Sequence, residues 1–195
     1  MAHRSPTVEK KPLLILTIGH STHPIEEFIA WLQHNGVTHL LDVRTVPRSR
    51  RNPQFNRDTL PDTLQQVGIR YTHMEGLGGL RHTHSDSINT GWRNRSFRGY
   101  ADYMQTQAFS DNVAQVMTYA ESDLCALMCA EAVPWRCHRS LIGDALLVRG
   151  VRVEDIMTES ERKPHRLTGF AKVHGVQVTY PAPPEATAAL FGPAE

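Results

Sequence analysis

Residues 124–139 read Leu-Cys-Ala-Leu-Met-Cys-Ala-Glu-Ala-Val-Pro-Trp-Arg-Cys-His-Arg. The apolar run Leu124–Met128 ends in Cys129 and Glu131. Eight residues after Cys129 come Cys137, His138 and Arg139, directly ahead of a helical pattern in which Leu141, Ile142, Ala145 and Leu146 share one face. A short uninterrupted apolar run bounded by polar residues reads as a strand buried on both faces, the kind found in parallel sheets. A buried strand feeding an amphipathic helix is one half of a βαβ unit. In open α/β sheets ligands gather at the carboxyl ends of the strands. This stretch therefore predicts both a fold class and the place of a chemical site.

The same alternation extends outward in both directions. Leu13–Ile18 reads as a first strand, ending in Gly19-His20-Ser21-Thr22. The helix after it has Pro24 in its first turn, Glu26 and Glu27 at its positive end, and an apolar face of Ile25, Phe28, Ile29 and Leu32 closed by Gly36. His39–Val43 is a second strand, leading into Arg44 and a polar loop, Thr45 to Arg57. Leu60, Leu64 and Val67 mark a short helix stopped by Gly68, and Ile69–Met74 a third strand ending near Glu75. Gly76-Leu77-Gly78-Gly79 opens an irregular stretch to about Ser96, followed by a helical region from about Tyr100 to Glu121, broken near Ala108. The helix after Cys137 runs from about His138 to Val148, with Gly150 as its stop. Val151–Met157 is a fifth strand, and residues 171–174 and 176–180 flank Gly175 as a small hairpin. The expected architecture is α/β: a single three-layer domain over 13–180, with a mostly parallel five-stranded sheet, helices on both faces and a small C-terminal hairpin. Residues 1–12 read as a polar tail and 181–195 as a Pro/Ala-rich tail, in which Leu190 and Phe191 are the large apolar groups.

Composition narrows the setting. No apolar stretch approaches the roughly 18–20 residues of a membrane span, and Met1–Lys11 lacks the apolar core of a signal peptide, so a cytoplasmic protein with no membrane partner is expected. Three cysteines fit reduced thiols better than a disulfide framework. A net charge of +1 gives no global pull toward nucleic acid, but 17 Arg against 4 Lys favours planar, bidentate recognition of phosphate or carboxylate.

If the sheet is parallel, four strand ends bring chemistry to one edge: His20 and Ser21, Asp42 and Arg44, His73 and Glu75, and Cys129 and Glu131. Asp42 and Arg44, two apart, share a strand face, where one can hold the other in a buried ion pair. Cys137 stands at a helix start beside Arg136, His138 and Arg139, an environment that favours the thiolate. The candidate catalytic residues are Cys129, Glu131, Cys137 and His20. The candidate substrate-binding residues are Ser21, Asp42, Arg44, Glu75, Gly78, Gly79, Tyr100, His138 and Arg139. Cys125, four residues before Cys129, reads as core. Two basic loops flank the edge, one with Arg44, Arg48, Arg50, Arg51, Arg57 and Phe55, the other with Arg81, Arg93, Arg95, Arg98 and the aromatics Trp92, Phe97, Tyr100 and Tyr103. Arginine interleaved with aromatics suits phosphate clamping and base stacking, or simple anchoring of the loops to the core. A phosphatase loop does not fit: Cys129 to Arg136 is too long and holds no glycine.

The chain also resembles a known family, domain of unknown function 488 (DUF488). The resemblance rests on Thr17-Ile-Gly-His-Ser21, Leu41-Asp-Val-Arg44, Pro47-Arg-Ser49 with Pro53-Gln-Phe-Asn56, and Leu77-Gly-Gly79. It continues through Phe97-Arg-Gly-Tyr-Ala-Asp-Tyr103, Met128-Cys-Ala-Glu131 and Cys137-His-Arg139, over about residues 13–157. Tyr180-Pro181 and Leu190-Phe191 are similar to longer members. The resemblance implies a single α/β domain and carries no activity, cofactor or catalytic assignment.

Taken together, the residues point to an enzyme with a Cys/Glu/His/Arg cleft acting on an anionic substrate, a nucleotide or a nucleic-acid component. Cys137 or Cys129 would be the nucleophile, Glu131 or His20 would move protons, and Arg44 and Arg139 would hold the anion. Two alternatives stand beside it. One is a metal or redox site in which Cys129, Cys137 and His138, with His20 or His73, supply ligands suited to zinc or iron, although no paired CxxC exists. The other is a non-catalytic nucleic-acid-binding module built on the arginine loops.

Overall fold

The structure, a computed structural model, describes residues 12–182. The expected polar tail up to Lys11 and the tail from Pro183 onward, with Leu190 and Phe191, lie outside the described residues.

Five parallel strands form the sheet: β1 (Leu14–Gly19), β2 (His39–Asp42), β3 (Arg70–His73), β4 (Cys125–Cys129) and β5 (Arg152–Ile156). A sixth, β6 (Arg162–Pro164), runs antiparallel to β5, and the spatial order is β3-β2-β4-β1-β5-β6. The five-stranded expectation thus gains an edge strand. Arg-Lys-Pro, exposed on both faces, has no apolar alternation to betray it, and such charged, short strands are how sheet edges avoid pairing with other chains. The hairpin is present as β7 (Lys172–His174) and β8 (Gln177–Thr179), turning at Gly175 with φ +61.

Period-two alternation divides the side chains between two cores. Leu16 and Ile18 of β1 and Ala126 and Met128 of β4 meet α1 (Ile25–His34) and α2 (Leu60–Gln66) on one face. Ile15 of β1 and Cys125 and Leu127 of β4 meet α3 (Arg95–Tyr103), α4 (Gln107–Tyr119) and α5 (Arg139–Leu147) on the other. Phe28 and Leu32, the apolar stripe of α1, are fully buried, each contributing roughly 1.5–3 kcal/mol by removal from water. Gly36, just past α1, has φ +70, the left-handed value its stop position requires.

One helical boundary differs from expectation. The region read as starting near Tyr100 begins at Arg95, because Asn94 caps it by accepting from the N–H groups of Ser96 and Phe97. The break falls at residues 104–106 and not at Ala108: the Thr106 side chain accepts from Phe109 N–H and starts α4. Among the described residues no helix is long and apolar enough to cross a membrane.

Candidate active site

The two thiols meet at the carboxyl edge of the sheet. Cys129 closes β4 opposite Gly19 of β1. Cys137 follows a 3-10 turn, Pro134–Arg136, and His138 is the N-cap of α5. The sulfurs of Cys129 and Cys137 and a ring nitrogen of His138 lie within 4.8 Å of one another. Arg139 donates to Cys137 Sγ twice, from its main-chain N–H and from Nε, each at 3.5 Å, and His138 Nδ1 is 3.6 Å from the same sulfur. His138 Nε2 lies 2.9 Å from the Val43 carbonyl. A carbonyl only accepts, so Nε2 carries the hydrogen and, in the neutral ring, the Nδ1 lone pair faces the thiol. The ring is seated from behind. Any Cβ on Gly79 would come within 2.5 Å of Nδ1, and Tyr100 packs against the ring at 5.0 Å.

Arg139 is 1% exposed, yet among the described residues its guanidinium touches no carboxylate. Beyond Cys137 Sγ its acceptors are the Glu131 carbonyl at 2.6 Å and Thr17 Oγ1 at 3.3 Å. A buried charge without a counter-charge costs several kcal/mol. The group in direct contact that can become an anion is the Cys137 thiol. Hydrogen bonding from the Cys129 S–H, aided by His138 and Arg139, holds Cys137 well below the usual thiol range against the cost of burial. The same bond, with burial, pushes Cys129 well above it. Cys125, buried away from any such partner, is pushed up to about 11 by burial and is core, as expected.

Behind Arg139 runs a polar chain. Thr17 Oγ1 donates to Asp155 Oδ1 at 2.6 Å, Asp155 Oδ2 lies 3.5 Å from His165 Nδ1, and His165 Nε2 lies 3.0 Å from Asp144 Oδ1. Tyr180 Oη donates to Asp144 Oδ2 at 2.8 Å. Burial opposes a charge on His165, but hydrogen bonds to Asp144 and Asp155 outweigh it and raise the ring to about 9.

Asp42 and Arg44 sit on the opposite face of the same edge. Arg44, 7% exposed, donates to Asp42 Oδ1 from Nε at 2.9 Å and to Asp42 Oδ2 from Nη2 at 2.5 Å, and Tyr71 Oη donates to Asp42 Oδ2 at 2.8 Å. Nη2 also reaches the Phe55 carbonyl at 2.7 Å, and Nη1 lies 3.1 Å from His20 Nε2. Because Nη1 only donates, His20 Nε2 accepts, and Nδ1–H goes to the Ser21 carbonyl at 2.9 Å. Burial, then the Arg44 charge, lowers His20 to about 4, and its ring stacks on Phe55 at 4.2 Å.

The expected residues therefore converge on one edge, but as two clusters back to back. The strand alternation that puts Cys129 on the α5 face puts Asp42 and Arg44 on the α1 face. The clusters join through main chain: His20 N–H donates to the Cys129 carbonyl at 2.9 Å, and Ser21 N–H to the Ala130 carbonyl at 2.9 Å. Three expected roles shift with this arrangement. His20 has both nitrogens committed inside the protein, which places it as a positioning group for Arg44 and not as a proton carrier. The guanidinium groups of Arg44 and Arg139 are largely consumed by internal acceptors, so neither is an open anion clamp. Glu131 holds Arg139 through its carbonyl, while its carboxylate is exposed.

A cleft of about 440 Å³ opens over the second cluster, lined by His20, Ser21, Arg44, Arg48, Asn52 and Glu131 among others. Ser21, at its floor, has φ +46, a left-handed value that costs a non-glycine residue and that clusters at functional sites. At Gly19 a Cβ would fall 1.9 Å from the Glu131 carbonyl, so glycine lets that loop close on β1. Gly78 packs on Thr45, Tyr100 is fully buried with its hydroxyl on the Leu77 carbonyl, and Glu75 is exposed outside the cleft lining. In the second basic loop Arg81 bonds the Gly76 and Gly78 carbonyls over the Tyr103 ring, and Arg98 bonds the Trp92 carbonyl. These two arginines staple the loop. Sequence reading missed Thr17, Tyr71, Asp144, Asp155 and His165. The available signal was a polar residue set into an apolar strand, at Thr17 and Asp155.

A family model described as domain of unknown function DUF488 matches residues 24–146. No curated protein and no solved structure matches the chain.

Proposed function

The chain belongs to the DUF488 family, and from the site that its motifs build we propose an enzyme that works through a Cys137 thiolate on an anionic substrate, a nucleotide or nucleic-acid component. The observation that carries this reading is the buried Arg139, which has no carboxylate among its acceptors within the described residues and aims both its Nε–H and its main-chain N–H at Cys137 Sγ. Paired with that charge, the sulfur is a nucleophile at neutral pH. Cys129 donates its S–H to the thiolate, and His138 Nδ1 is placed to take or return a proton. The cleft over the second cluster, which reaches Ala130 and Glu131 just past Cys129, offers Arg48, Asn52 and the Ser21 hydroxyl as donors to an anion.

Alkylation tests this. At pH 7 iodoacetamide should modify Cys137 at least about tenfold faster than Cys125, as read by peptide mass spectrometry, since a thiolate outreacts a thiol. Arg139→Gln should bring the Cys137 rate down toward that of Cys125. Equal, slow modification of all three thiols would remove the proposal.

A second reading has its own support. His138 gives Nε2–H to a main-chain carbonyl and turns Nδ1 toward two sulfurs, the outer-sphere arrangement of a metal-ligating histidine. Two cysteines and one histidine with an open position suit zinc, which would supply Lewis-acid chemistry. Elemental analysis of tag-free protein separates the readings. Stoichiometric zinc that Cys137→Ser abolishes supports the metal, and metal-free protein with a fast-alkylating Cys137 supports the thiolate.

A further inference from the structure

A second cavity, of about 510 Å³, lies on the α5 face, walled by Trp135 of the 3-10 turn, Ser140 of α5, Asp155 at the end of β5 and the segment from Lys163 to Thr168. Its volume is that of a small-ligand site. The charged groups around it are mostly cationic. Arg166 is exposed, and its guanidinium has no partner among the described residues. Lys163 projects from β6 with its ammonium 3.5 Å from the exposed Glu161 carboxylate. The one carboxylate in the wall, Asp155, is already satisfied by Thr17 and flanked by His165.

Two indoles complete the wall. Trp92 is packed among Phe97, Phe170 and Tyr180 at 4.7, 4.9 and 5.5 Å, and its Nε1–H is buried without a hydrogen-bond partner among the described residues. That N–H is closed off from solvent, so Trp92 offers the cavity its ring as a fixed aromatic wall. Trp135 stands at the rim with 61% of its surface exposed, although an indole side chain is among the most favourable to bury.

We propose that this cavity binds a ligand joining a planar aromatic ring to a phosphate, with a nucleoside monophosphate as the simplest case. The phosphate sits on Arg166 and Lys163, and the ring stacks on Trp135, with Trp92 as a second aromatic wall of the cavity. The arrangement uses none of the cysteines and does not depend on the thiolate chemistry.

The test is calorimetric titration of the full chain with adenosine 5′-monophosphate, adenosine and ribose 5-phosphate. The monophosphate should bind at least about tenfold more tightly than either fragment, because each fragment lacks one of the two contacts. Arg166→Ala should weaken it about tenfold, and Trp135→Ala about fivefold or more. Both residues are exposed, so the folded state survives either change, and Lys172→Ala, exposed on β7 and outside both cavities, should leave the affinity unchanged. Absence of binding at millimolar monophosphate, ribose 5-phosphate binding as tightly as the monophosphate, or a loss on Lys172→Ala that Arg166→Ala does not produce would each overturn the proposal. Cys137 alkylation rates bear on the thiolate alone, so the two proposals fail separately.

Discussion

At the scale of single residues, burial decides what each polar group can do. Asp42 is 0% exposed and accepts from Arg44 and Tyr71, so its charge exists to hold a guanidinium inside the protein. Asp42→Asn leaves the Arg44 charge buried and unpaired, and chemical denaturation should show a loss of about 3–5 kcal/mol. A surface-like loss below about 1 kcal/mol would mean that Arg44 finds water or another anion. Gly79 is a packing requirement of a different kind. Gly79→Ala drives a methyl group into the His138 ring, which is wedged against Tyr100 and Val43 and cannot swing aside cheaply. The variant should lose about 1–3 kcal/mol by overpacking, and Cys137 alkylation should slow with it. An unchanged alkylation rate would show that His138 does not support the thiolate.

At the scale of elements, segments outside the matched stretch of residues 24–146 complete the site. Asp155 comes from β5, His165 from the segment after β6, and Tyr180 from the residue after β8. His165 and Tyr180 meet on Asp144 of α5, which also accepts from the Thr168 N–H, and Asp155 joins them through His165. Tyr180→Phe removes one of those donors at a cost of about 1–2 kcal/mol. Hydrogen exchange should then be faster in β7 and β8 than in β1 or β4, which keep their own ladders. Uniform acceleration across the sheet would mean that the hairpin is not a separately opening unit. The irregular stretch after Gly79 is ordered by the same means. Asp102 of α3 accepts from His84 N–H, Ser87 Oγ and Asn89 Nδ2, and Asn89 Oδ1 in turn accepts from Tyr180 N–H. His84, Ser87 and Asn89 stand 18, 15 and 13 residues from Asp102, and Asn89 stands 91 from Tyr180, so the stretch reads as loop until the fold brings them together.

At the scale of the whole molecule, the histidines bound stability from both sides. His20 and His39 are lowered to about 4 by burial, with the Arg44 and Arg70 charges adding to it. The unfolded chain takes up protons near 6.5 and the folded one only near 4, so stability falls as pH drops through that window. His165 is raised to about 9, so its contribution is complete below 6.5 and is lost as pH rises from there through 9. That contribution is at most roughly 3 kcal/mol, from the difference in proton affinity. Melting temperature should peak near pH 6–7, and in His165→Gln the alkaline decline should flatten while the acid one remains. An alkaline decline unchanged in the variant would place its cause elsewhere.

The sequence by itself determined the layer order and the edge. Apolar runs at Leu14–Gly19, His39–Asp42 and Cys125–Cys129 are long enough and apolar enough to be strands, and strand alternating with helix leaves a parallel sheet as the way to bury both faces. Parallel strands then put His20, Asp42, Arg44, Cys129 and, through the next helix, Cys137 at one end. What tertiary structure alone decided is which groups face one another. Arg139 and Arg44 read alike in sequence, but one ends on a sulfur and the other on a carboxylate. That outcome depends on strand order and on contacts such as Arg139 to Thr17, spanning more than a hundred residues. Local pattern fixes the direction in which a side chain leaves its strand, and only the closed fold supplies what it meets there.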